Sequence, residues 1–93
     1  TVTIQNESHD EWVAWMKEEH IPDVMKTGFF SENKMCRILA SQEEEQSYSI
    51  QYTCEDMKTF HQYQVQHAPR LQAEHNAKYD GKFAAFRTLL EVI

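Results

Sequence analysis

The chain reads as one half written twice. Thr1-Val2-Thr3-Ile4-Gln5-Asn6 stands against Ser47-Tyr48-Ser49-Ile50-Gln51-Tyr52, an offset of 46 residues. Each stretch runs into an amphipathic helix pattern ending in His-x-Pro: His20-Ile21-Pro22 and His67-Ala68-Pro69, an offset of 47 in a chain of 93. A repeat of half the chain predicts a strand–helix–strand unit used twice. That constrains the architecture more than any single motif here, and it names no reaction.

The local patterns agree. Val2 and Ile4 alternate with Thr1, Thr3 and Gln5, a period of two that predicts a half-buried strand. Ser8 followed by Glu11 is a capping-box spacing, and Trp12, Val13, Trp15, Met16 and His20 follow helical spacing. Pro22 opens a short turn over 22–26, stopped by Gly28. A second strand is expected over 29–40, a polar hairpin loop over 41–46 including the solvated run Glu43-Glu44-Glu45, and a third strand over 47–54. Asp56 or Glu55 caps a second helix carrying Met57, Phe60 and Tyr63. A further helix covers 70–79, Asp80-Gly81 turns the chain, and a last strand covers 82–93.

The order is β-α-β-β-α-β, in an α+β class. Right-handed crossovers leave few topologies. The expected one is a single ferredoxin-like domain over 1–93, with a four-stranded antiparallel sheet of order 4-1-3-2 and both helices on one face. Val2, Ile4, Tyr48 and Ile50 then face the helices, opposite Trp12 or Trp15, Met16, Phe60 and Tyr63.

Composition narrows the partners. Lys and Arg number 9 against 15 Asp and Glu, a net charge of −6. The cations are scattered, so the basic stripe that nucleic acid requires is missing, and neither nucleic acid nor an anionic membrane is expected as a partner. No apolar run approaches the length of a membrane span. Cys36 and Cys54 read as small buried hydrophobes on neighbouring strands, and two thiols with no signal peptide suit a reducing cytoplasm. The chain begins at Thr1 rather than methionine, so further residues of the first strand are expected ahead of it.

The histidines carry two readings. In a ferredoxin-like pseudo-twofold, His20 and His67 are symmetry mates at opposite ends of the domain, separated by a helix about 16 Å long. They cannot share a metal within one chain. Each can cap helix carbonyls or act chemically. His75 falls on one face with Leu71 and Tyr79, and Arg70 stands nearby as a partner for an anionic group or for Glu74. His9 and His61 read as surface residues. No HExxH motif or finger spacing occurs, so no metal is expected; no cofactor is expected either.

The sheet's other face is expected to carry Thr3, Gln5, Ser49, Gln51 and Thr53, joined by Arg37 or Arg87, with Met35, Leu39, Phe83 and Leu89 toward the edges. A polar centre with apolar edges suits a second copy packed sheet to sheet as a twofold dimer.

Trp12-x-x-Trp15-Met16-Lys17-x-Glu19-His20-Ile21-Pro22, His67-Ala68-Pro69-Arg70-Leu71-Gln72-x-x-His75 and Phe83-x-x-Phe86-Arg87-Thr88-Leu89-Leu90 together resemble an uncharacterised bacterial domain-of-unknown-function family. That family is similar to the dimeric α/β-barrel group of ferredoxin-like proteins. The group also holds cofactor-free monooxygenases, haem-degrading enzymes and muconolactone-isomerase-like enzymes. The resemblance implies the fold and the dimer and brings no catalytic residues. The haem-degrading relatives use an Asn, a Trp and a His. Here Asn6 ends the first strand, but both tryptophans belong to the first helix, a departure from that pattern.

The expected function is a homodimeric domain binding a small molecule near His75, Arg70 and Tyr52, or near His20 and Trp15, with His67 a further candidate. One alternative is a cofactor-independent monooxygenase or isomerase, in which a neutral histidine removes a proton next to a carbonyl and the polar sheet face holds the oxyanion. The other is an interaction module with no ligand.

Overall fold

The architecture was determined as a computed structural model describing residues 1–39 and 44–93. Residues 41–43 of the hairpin loop expected over 41–46, with Ala40 of the expected second strand, lie outside the described residues, while Glu45 and Gln46 of that expected loop belong to β3. The elements run β1 (Val2–Gln5), α1 (Asn6–Trp15), a π-helical segment (Met16–His20), α2 (Ile21–Lys26), β2 (Glu32–Arg37), β3 (Glu45–Thr53), α3 (Met57–Gln66), α4 (Ala68–Lys78) and β4 (Phe83–Ala85).

The chain is α+β, with one open four-stranded sheet compatible with a ferredoxin-like arrangement. The strand order is β2-β3-β1-β4, which is 4-1-3-2 counted from the opposite edge, and each neighbouring pair is antiparallel. Val2 lies opposite Tyr48 on one side and Ala85 on the other. Residues paired across a ladder share a face and alternate residues share a face. Val2, Ile4, Tyr48, Ile50 and Tyr52 therefore stand together on the helix side. Ile4, Trp12, Met16, Ile21, Tyr48 and Tyr79 form the buried cluster there.

The register corrects part of the sequence reading. Met35 pairs with Ile50, Arg37 with Tyr48 and Phe83 with Ile4, so all three belong to the helix side. The free face is more polar than expected: Thr3, Gln5, Ser47, Ser49, Gln51 and Thr53, with Lys34 and Cys36 on β2. Thr3 Oγ1 and Ser47 Oγ share a hydrogen bond of 2.8 Å.

The helix starts also differ. No capping box forms at Ser8; α1 begins at Asn6, directly off the strand, and Ser8 is buried. The turn expected at Pro22 continues from the same helix. Proline has no N–H, and its ring would clash with the carbonyl four residues back in a regular α-helix. Here the preceding turn is widened: the Ile21 amide bonds the Met16 carbonyl, five residues back. Gly28 ends α2 with φ of 81°. In the second half, Asp56 caps α3 by accepting from the Thr59 amide at 2.8 Å, a bond that holds its carboxyl below the usual range.

β4 is far shorter than the strand expected over 82–93. Phe86 still exchanges both backbone hydrogen bonds with Thr1, and the residues from Arg87 to Ile93 lie outside any strand. Phe86, Leu89, Leu90, Val92 and Ile93 are exposed.

Candidate functional site

The helical spacing of α1 decides which aromatic groups meet. Trp12 faces the sheet and is fully buried against Ile4 and Tyr48. Its indole N–H donates to Nε2 of His75 on α4 at 2.9 Å. Trp15 lies one turn on and stacks on His20, with ring centroids 4.9 Å apart and planes 29° apart. The widened turn places His20 over that indole and 5.8 Å from the His75 ring. Leu71, His75 and Tyr79 share the buried face of α4, as their spacing predicts. Tyr79 closes the group, 5.6 Å from both Trp15 and His75, and Phe83 meets the His75 ring edge-on at 4.4 Å.

Two polar atoms in this group are buried without a hydrogen-bond partner: His20 Nδ1 and the Tyr79 hydroxyl. His20 therefore does not cap a helix, as one sequence reading allowed; its ring is committed to aromatic packing. Burial lowers the His20 pKa, opposed by the charges of Glu74 and Asp23. Burial, followed by the charges of His20 and Arg87, brings His75 down to about 4. Both rings are then neutral at pH 7. Because His75 Nε2 accepts the indole proton, the neutral ring carries its own proton on Nδ1. Burial raises the Tyr79 phenol, with Glu11 and Glu19 adding to it.

The six residues singled out in the sequence divide into two groups. Trp15, His20 and His75 come together as described. Tyr52, His67 and Arg70 belong to a second aromatic group built around Phe29, Phe30 and Tyr63. The Phe30 ring is 5.2 Å from Tyr52 and 4.7 Å from Tyr63, and Phe29 is 5.5 Å from His67. Arg70 lies 3.4 Å from His67 Nδ1 and 3.8 Å from Glu74. His67 stands at the break between α3 and α4 and makes no side-chain cap. His20 and His67 are thus in separate groups, and it is His75, not His67, that meets His20.

A third arrangement escaped the sequence reading. His9 is buried, not on the surface. Its Nδ1 lies 2.8 Å from Asp10 Oδ1, and its Nε2 is 2.5 Å from the Tyr48 hydroxyl. Arg37 donates to the same hydroxyl oxygen through Nε at 3.2 Å and Nη2 at 3.1 Å. With two N–H groups aimed at its oxygen, the phenol gives its proton to His9, and His9 gives its own to Asp10. The signal was present: His9, Trp12 and Met16 fall at i, i+3 and i+7, one face of a helix.

Among the described residues, no cluster of three or more His, Cys, Asp or Glu is placed to hold a metal ion. No helix among them is long and apolar enough to cross a membrane. Neither a curated protein nor a solved structure matches the chain. A protein family does match, over residues 1–93, and the chain belongs to it: the domain of unknown function DUF4286.

Proposed function

We propose that this chain is a homodimeric, cytoplasmic, ferredoxin-like domain that binds a small molecule against Trp15, His20 and His75. The observation that supports this is the pair of buried polar atoms without partners, His20 Nδ1 and the Tyr79 hydroxyl. Both sit in rings that contact Trp15 and His75. Buried polar groups are normally hydrogen-bonded, and leaving them unpaired costs about 1–3 kcal/mol each. A ligand with a carbonyl or hydroxyl group satisfies both atoms while its apolar body lies on the indole. Native mass spectrometry of protein purified from its own host tests this. The expected result is a retained small molecule that the His20→Phe, Tyr79→Phe double variant no longer carries. Protein that emerges with no added mass and shows no change in the His20 and His75 ring signals with cell extract overturns it.

The dimer uses the free sheet face. Its small hydroxyl side chains make a flat centre. Leu39, 92% exposed, lies beyond β2 on one edge, and Leu89 and Leu90, 62% and 75% exposed, follow β4 on the other. Burial of such groups favours association. Sedimentation velocity should give the mass of two chains, and Ser49→Arg on the free face should give one.

A second reading, a cofactor-independent monooxygenase or isomerase, is favoured by one observation: two neutral imidazoles lie side by side. A neutral imidazole can take a proton from carbon next to a carbonyl. The polar sheet face cannot hold the resulting oxyanion, because it lies across the sheet from both rings. Tyr79 O–H is the donor within this group that can do so. A His75→Gln variant that keeps full turnover of an identified substrate removes this reading.

A further inference from the structure

A buried phenol and a buried indole touch beneath α1, and each donates its polar hydrogen to an imidazole. Tyr48 is 5% exposed and Trp12 fully buried, with ring centroids 5.2 Å apart. The Trp12 N–H donates to His75 Nε2 at 2.9 Å. The Tyr48 O–H donates to His9 Nε2 at 2.5 Å, and the two rings stack with centroids 5.6 Å apart. His9 Nδ1 lies 2.8 Å from Asp10 Oδ1, and the Asp10 side chain is fully exposed. A proton leaving Tyr48 therefore has an unbroken route to water. Arg37 Nε and Nη2 hold the phenol oxygen at 3.2 and 3.1 Å. A guanidinium accepts no hydrogen bond, so His9 is the acceptor for that proton.

A relay of this kind serves a base, a nucleophile or an electron donor. The first two need a substrate touching the phenol, and the burial of Tyr48 keeps one out. An electron needs no opening, because it passes between rings in contact. Phenols and indoles are among the side chains that lose a single electron most readily. A phenol that has lost an electron is a strong acid, so the loss is easiest where a base already holds its hydrogen. Trp15 carries the path outward. It is half-buried, and its ring lies 5.6 Å from the His75 ring that Trp12 meets at 6.4 Å.

We propose that Tyr48 is a one-electron redox site, oxidised through Trp12 while its proton passes to His9. The Trp12 indole loses an electron to an external one-electron oxidant, which is reduced by one. Tyr48 returns an electron to the indole. Its O–H bond breaks, and the proton forms an N–H bond at His9 Nε2. His9 gives its Nδ1 proton to Asp10, which releases it to water. The products are a neutral phenoxyl radical, a histidine with its proton on the other nitrogen, and the reduced oxidant. The chemistry uses neither unpaired atom of the His20 and Tyr79 group, so it stands or falls apart from ligand binding there.

Flash-generated tris(bipyridine)ruthenium(III), a one-electron oxidant too large to enter the core, tests this on the whole chain with optical and electron paramagnetic resonance detection. The parent should yield a phenoxyl radical, formed more slowly in deuterium oxide because electron and proton leave together. Tyr48→Phe keeps the ring packing and should leave the radical on an indole. His9→Phe should slow phenoxyl formation about a hundredfold, the low end of what a positioned proton acceptor supplies. A phenoxyl yield in Tyr48→Phe equal to the parent's overturns the proposal. So does a rate unchanged by His9→Phe or by deuterium oxide. The deuterium comparison uses the parent alone, so it decides the matter even where His9→Phe loosens the fold.

Discussion

The Trp12 indole N–H donates to His75 Nε2 at 2.9 Å, tying the first helix of the domain to the last. The bond fixes the proton of His75 on Nδ1. Nitrogen-detected NMR at pH 7 should show His75 as a neutral ring with an unprotonated Nε2. In Trp12→Phe the acceptor loses its donor and a cavity opens, so unfolding free energy should fall by about 3 kcal/mol. A loss under about 1 kcal/mol in urea titration would mean the bond is not formed in solution.

The depressed histidines make stability depend on acidity in a definite direction. His75 drops from 6.5 to about 4, chiefly through burial, and His20 is lowered for the same reason. Below pH 6.5 the unfolded chain takes up protons that the folded chain refuses. The contribution is complete above that pH and is lost as pH falls toward 4. For His75 it amounts to about 2 kcal/mol after allowance for partial exposure of the ring. Urea unfolding at pH 7 and pH 4.5 should show this loss, and His75→Gln should flatten it.

Tyr79→Phe removes a buried hydroxyl that has no partner. With its desolvation cost gone, the ligand-free protein should gain up to about 1 kcal/mol. A drop in melting temperature instead would show that the hydroxyl is bonded in solution, by water for example.

The Arg37–Tyr48–His9–Asp10 chain pins α1 to the sheet near β2. Tyr48→Phe should cost about 1–2 kcal/mol, since His9 then loses its buried partner. His9→Phe should cost a similar amount, and the double variant less than the sum of the two, as expected for residues of one network. Strict additivity in thermal unfolding would mean the two side chains act independently.

Pro22 and the widened turn place His20 over Trp15. In Pro22→Ala a donor returns and the clash vanishes, so the segment can tighten to a regular helix. Each residue before it then rotates, moving His20 off the indole. The upfield ring-current shift expected for the stacked His20 protons should shrink. An unchanged shift would mean that tertiary packing alone holds the wide turn.

Much of this was legible along the chain. The duplicated strand–helix–strand pattern, the alternation of Val2, Ile4, Tyr48 and Ile50, and the line Leu71–His75–Tyr79 each report a local period, and a local period decides which face a residue joins. The end of β4 at Ala85 was not legible, because pairing is settled between strands and not within one. The edge residues were misjudged for a related reason. Met35, Arg37 and Phe83 take their face from the register with Ile50, Tyr48 and Ile4, which a strand read alone does not contain. Only the tertiary structure brought His20 to His75 and His9 to Tyr48. Both meetings join residues at least 39 positions apart in the chain, and packing across the sheet, not spacing along it, decides them.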